Sequence, residues 1–185
     1  NVESFFFFFL LNGREVEQII QARVVSNDDE PEFEIEYLLE SSQLRVRIKK
    51  PNIRSTKSRA FIKAESHIVI NLPLVSVSHN GRSTLESKFA IGGRVFDFDA
   101  FEAKLMINRF LKNQPNGYRV KLSNIRSLAA SLFANHANDP SAGALLLDGV
   151  TALQKTVRHY LTVPSEKLRS DYERSLAYSG LRFPP

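Results

Sequence analysis

An α+β domain, mostly helical with a small three-stranded antiparallel sheet, is what this sequence predicts. Apolar and acidic residues alternate strictly through Glu32-Phe33-Glu34-Ile35-Glu36-Tyr37, and apolar and basic residues through Leu44-Arg45-Val46-Arg47-Ile48-Lys49. Period two marks half-buried strands. Most of the remaining apolar residues recur at helical spacing. The last of these segments has a start signal at Pro164-Ser165 and a stop at Ser179-Gly180.

In chain order, Ser4 is the expected cap of a helix through Leu11, with Gly13 near its end. Glu15 to Ala22 reads as a second helix with Val16, Ile19 and Ile20 on one face. The two alternating segments follow as strands, joined by a turn at Glu40-Ser41-Ser42-Gln43. An acidic face beside a basic one predicts cross-strand charge pairs. A third strand is expected at His67 to Leu72. After a turn at Gly92-Gly93, the residues Phe98, Phe101, Leu105, Ile107 and Phe110 suit an amphipathic helix. Ser123 is the expected cap of a helix from Asn124 to about His136. Short helices are expected at Ser141–Leu147 and Ala152–Leu161. Leu168, Tyr172 and Leu176 form a stripe on the last helix, at i, i+4 and i+8.

The chain has 185 residues, enough for one domain with its own core, and its 43% apolar content is that of a globular protein. It lacks cysteine, which excludes a disulfide framework, thiolate metal sites and thiol nucleophiles, and fits a cytoplasmic protein. The apolar run Phe5 to Leu11 is too short to span a bilayer and lacks the flanks of a signal peptide. Without an initiator Met, and opening within what reads as a helix, the sequence is expected to be a fragment of a longer chain. His67, His79 and His136 have no metal-ligand spacing, so no metal or other cofactor is expected.

The net charge of +5 conceals a strong polarity. Asp28 to Glu40 holds seven of the 20 acidic residues, whereas Ser41 to Ala64 holds none. That second stretch carries Arg45, Arg47, Lys49, Lys50, Arg54, Lys57, Arg59 and Lys63, interleaved with Asn52, Ser55, Thr56 and Ser58. Cations mixed with hydroxyl and amide donors suit a phosphate backbone, so double-stranded DNA is the expected partner. A solvated face partly neutralised by the acidic strand is the alternative.

One chemistry draws on the remaining polar residues. A Tyr can attack phosphorus if Arg side chains clamp the phosphate and a Lys or His protonates the leaving hydroxyl. Asn12-Gly13-Arg14-Glu15-Val16-Glu17-Gln18-Ile19 follows an apolar helix; Lys49 and Lys50 end a strand; Ser123-Asn124-Ile125-Arg126 opens a helix; Asp148-Gly149-Val150-Thr151 precedes Thr156-Val157-Arg158-His159-Tyr160. In order and spacing this set resembles the catalytic domain of tyrosine recombinases (phage integrases) over nearly the whole chain. The resemblance implies a single recombinase-like domain across residues 1–185, lacking an N-terminal DNA-binding domain. It implies strand cleavage and rejoining through a phosphotyrosine link. Tyr160 aligns with the nucleophile, Arg126 with the second Arg, and Lys50 or Lys49 with the general acid.

The sequence also departs from the family pattern. Glu15 occupies the strict position of the first Arg, with Arg14 one residue early; Ser123 and Val150 replace two His. His159, beside Tyr160, is either a surface residue or a substitute donor. These departures predict slow or absent cleavage. The resemblance also implies that the last helix docks on a neighbouring protomer; docking of its stripe on the chain's own core is the alternative. A DNA-binding or regulatory module of the same fold without cleavage, and a helical interaction domain without DNA binding, remain competing readings.

Overall fold

The computed structural model describes residues 6, 9–47, 67–72, 88–113, 121–136 and 164–178. The expected cap Ser4 and the helices expected at 141–147 and 152–161 lie outside the described residues. Four strands, β1 (Arg23–Val25), β2 (Ile35–Leu38), β3 (Gln43–Arg47) and β4 (His67–Asn71), form one sheet in the order β1-β2-β3-β4. The described helices are α1 (Val16–Ile19), α2 (Ala100–Lys112), α3 (Leu122–His136) and α4 (Ser165–Ala177). The fold is α+β, as expected.

The sheet differs from the expected three antiparallel strands in having a fourth. β1 runs parallel to β2, with Val24 opposite Tyr37. Three residues are too few to display alternation, so β1 carried no local signal. Its outer side is covered: Val24 N–H donates to the Gly93 carbonyl at 2.9 Å, and Gly92 N–H to the Val24 carbonyl at 2.7 Å. An otherwise open edge is thereby satisfied.

β2 and β3 pair antiparallel with Ile35 opposite Val46 and Glu36 opposite Arg45. The expected charge pairs are present: Arg45 Nε lies 3.3 Å from Glu36 Oε2, and Arg47 Nη1 3.4 Å from Glu34 Oε1. Two expectations about β2 change. It starts at Ile35 rather than Glu32, because Glu36 Oε1 accepts the N–H groups of Glu32 and Phe33 at 2.8 and 2.9 Å. That side chain thus takes donors a ladder would otherwise use. Nor is β2 half-buried; all four of its residues are buried, Glu36 included. Arg45 completes the pair by donating to the backbone carbonyls of Asp29 and Ser26.

The helices pack on one contiguous core running from Phe6 to Leu176. Phe96 meets Phe6 and Phe9 edge-on, each at 5.0 Å between ring centroids. α1 covers less than the expected Glu15–Ala22, because the chain turns at Gln21 to enter β1. α2 begins after Asp99, whose carboxylate accepts Glu102 N–H at 2.8 Å. Its buried face is Ala103, Ile107 and Leu111; the expected face was wrong about Phe101 and Leu105, which are 69% and 51% exposed. Phe101 and Leu105 each lie two positions from Ala103, about 200° around the helix, and so face away from this buried side. α3 starts at Leu122, so Ser123 lies inside its first turn and is not the cap.

α4 forms where expected, and its stripe is spent within the chain. Leu168, Tyr172 and Leu176 are buried against α3 and β4, with Tyr172 beside Phe133 at 5.5 Å.

Because Glu36 has no exposure, losing its partner strands a carboxylate in the core. Arg45→Ala should lower the unfolding free energy by about 3–5 kcal/mol in urea titrations. Replacing the pair with Leu at both positions should recover part of that loss, since the desolvation cost goes with the charges.

Candidate functional site

The chain leaves its first helical segment through a turn at Asn12, Gly13 and Arg14. Gly13 has φ 69°, a left-handed conformation that costs a residue with a side chain more than it costs glycine. Asn12 N–H and Gly13 N–H close the turn onto the Phe9 and Leu10 carbonyls at 3.1 and 3.0 Å. The reversal drives Arg14 inward, where it is fully buried. Its Nη1 lies 3.5 Å from Glu34 Oε2, and its Nη2 donates to the carbonyl of Arg47 at the end of β3. Asn12 Oδ1 accepts the Tyr172 hydroxyl at 2.9 Å, tying α4 to the same turn.

Beside this turn is a cleft of about 190 Å³ lined by Leu10, Arg14, Glu15, Glu17, Lys104 and Ser123 among others. Glu15 N–H is capped by Gln18 Oε1 at 3.0 Å, which starts α1 and sets Glu15 at the mouth. Across it, Lys104 Nζ of α2 meets Glu17 Oε1 at 2.7 Å. That bond holds the Glu17 carboxyl below its usual range. Ser123 comes from the first turn of α3, and the backbone of Arg126 follows one helical turn later. Three positions named from the sequence, Arg14, Glu15 and Ser123, therefore share one cleft although Ser123 is distant from the other two in the chain.

The other expected residues divide into two groups. Arg45 is 6% exposed and is held by Glu36 and two backbone carbonyls, so its guanidinium serves the sheet. Arg47 is exposed at the end of β3 and pairs with Glu34. Lys49, Lys50, Arg54, Lys57, Arg59, Lys63, Val150, His159 and Tyr160 lie outside the described residues. Among the described tyrosines, Tyr172 is no nucleophile: burial pushes its phenol well above the ordinary value, and its hydroxyl serves Asn12.

Lys104 was invisible to sequence reasoning as a site residue. Its partner Glu17 is far away in the chain, and each alone reads as a solvated charge. Among the described residues, no group of three or more His, Asp or Glu is placed to hold a metal ion. Among them, too, no helix is long and apolar enough to cross a membrane. A scan against protein-family models finds no match, and comparisons with curated proteins and with solved structures find no similar chain.

His67 faces Arg47 across the β3–β4 ladder, and its Nε2 lies 3.3 Å from the Phe33 carbonyl. Burial lowers its pKa below the ordinary 6.5, with Arg47 and Arg45 acting in the same direction; the Phe33 carbonyl and Glu36 oppose them. The folded state therefore binds a proton there less readily than the unfolded chain does. This contribution to stability is complete above 6.5 and is lost as pH falls through the lower folded value. The thermal midpoint should decline as pH falls below 6.5, and His67→Gln should flatten that decline. The lowered carboxyl of Glu17 acts in a separate window, below 4.5.

Proposed function

We propose that this chain is a DNA-binding domain of the tyrosine-recombinase type whose strand cleavage is slow or absent. The observation that carries the reading is the convergence of Arg14, Glu15 and Ser123 on one cleft. The resemblance to tyrosine recombinases implies an Arg from the first turn and a donor from the later helix at one phosphate, where positioned donors stabilise the developing charge. Those two segments meet at this cleft, and the basic run from Lys49 to Lys63 continues directly from β3, whose last carbonyl Arg14 grips.

The same geometry supports impaired chemistry. Arg14 is turned away into the Glu34 pair, and the cleft presents the carboxylate of Glu15 where the strict pattern requires a cation. A phosphate there meets a like charge, and drawing Arg14 outward breaks its bonds to Glu34 and to the Arg47 carbonyl. In this reading Tyr160 attacks phosphorus and Arg126 clamps the phosphate. Lys50 or Lys49 protonates the leaving oxygen, and His159 is a substitute donor. A neighbouring protomer on DNA meets the polar side of α4, because its apolar stripe is already buried.

Affinity for duplex DNA should fall linearly in log–log form with salt. Replacing Arg54, Lys57 and Arg59 together by Ala should flatten the slope by about 2.7 units, or about 0.9 per lost phosphate contact. Binding that ignores salt would dismiss the reading in favour of a protein-interaction domain.

On a nicked duplex that traps covalent adducts, the natural chain should form adduct at least several hundred-fold more slowly than a complete recombinase. That factor corresponds to one missing oxyanion donor, about 3–4 kcal/mol. Tyr160→Phe should abolish whatever adduct forms. Rapid adduct that persists in Tyr160→Phe would remove Tyr160 from the mechanism.

A further inference from the structure

A second cleft, of about 470 Å³, lies along the segment that covers β1 and is lined by Lys88, Phe89, Arg94, Phe96, Asp97 and Phe98 among others. We infer that it is a binding site for an unpaired nucleotide, with the base on its phenylalanine wall and the phosphate at Lys88 and Arg94. The inference stands on this cleft and not on the duplex-DNA reading above.

Its wall is built before any ligand arrives. Phe89 and Phe98 are each half-buried, so part of each ring faces the opening. Phe89 rests edge-on against Tyr37 at 5.1 Å, and Phe98 against Phe6 at 5.4 Å. The turn between the two sides is tight and closed by a hydrogen bond. Gly93 N–H bonds to the Ala90 carbonyl at 2.8 Å, and a Cβ at Gly93 would lie 2.8 Å from that same oxygen. Val95 N–H donates to the Ala22 carbonyl at 2.9 Å, anchoring the Arg94 side on the sheet.

Its cations are accessible. Lys88 and Arg94 are exposed, and neither forms an ion pair among the described residues. This contrasts with Arg14 and Arg45, whose guanidinium groups are held by carboxylates and carbonyls. Flat aromatic surface beside two exposed cations matches a base joined to a phosphate, since every base has a π-face and sequence-tolerant stacking follows. Asp97 adds an acceptor, which suits the N–H groups on a base edge and not a phosphate. The volume falls within the range of small-ligand sites, about 300–1,000 Å³.

The test is fluorescence anisotropy of a short labelled oligothymidine with the full chain. Lys88→Gln with Arg94→Gln should flatten the log affinity against log salt slope by about 1.4 units, or about 0.7 per contact on a single strand. Phe89→Leu, which keeps an apolar group against Tyr37, should weaken binding roughly tenfold without changing that slope. Failure of oligothymidine to bind would overturn the inference, as would equal affinity and slope in both variants. Displacement by an acidic phenylalanine-containing peptide at a lower concentration than by thymidine monophosphate would overturn it as well, by assigning the cleft to a protein partner. If Phe89→Leu shifts the urea midpoint, the Lys88 and Arg94 variant decides alone, because those side chains are exposed and hold no ion pair among the described residues. Duplex binding measured on the same variants should be unchanged, so failure here is distinguishable from failure of the duplex reading.

Discussion

A buried guanidinium with nowhere to go but the end of a hairpin organises this domain. Arg14 has no solvent exposure, and an uncompensated charge in that position costs several kcal/mol, of the order of the margin by which domains are stable. Its compensation comes from Glu34, just before β2, and from the carbonyl of Arg47, at the end of β3. The open end of the hairpin is therefore held against the first turn of the chain. Two residues earlier Asn12 receives Tyr172 from α4, and one residue later Glu15 opens α1. Elements from both ends of the sequence meet around four consecutive residues.

A second buried charge pair does comparable work inside the sheet. Glu36 and Arg45 face each other directly in the β2–β3 register, and together they hold the connection from Ser26 to Phe33. Specificity is the physical return on such an arrangement. Slipping the register by one residue would separate these charges and reverse which face of each strand is apolar. The acidic and basic runs that look like a charged surface in the sequence are, at their centre, the internal seam of the sheet. Of the eight cations from Arg45 to Lys63, six follow β3 in the sequence.

This division bears on the proposed chemistry. A cation that stabilises the fold is held by its neighbours, and a cation that binds a phosphate must be released from them. Arg14 and Arg45 are of the first kind, whereas Lys88 and Arg94 are exposed and form no ion pair among the described residues. Lys104 is intermediate, pairing with Glu17 at the mouth of a cleft where the screening solvent makes that pair weak. Binding a polyanion needs only accessible charge, whereas cleaving one needs a positioned donor at one oxygen.

The sequence by itself determined the α+β class, three of the four strands, the cross-strand charge pairs and the placement of α4. All of these rest on local signals: alternation in 32–37 and 44–49, and a start and stop around 164–180. Only the tertiary structure decided the rest. β1 is three residues long and exists because Tyr37 and Gly93 lie on either side of Val24. The inner face of α2 is Ala103, Ile107 and Leu111, a choice that periodicity does not make when Phe101 and Leu105 are equally apolar. The shared cleft of Arg14, Glu15 and Ser123 is a contact between distant segments, and so is the meeting of Lys104 with Glu17. A single sequence records which side chains can pair; which of them are brought within reach is set by how the chain closes on its core.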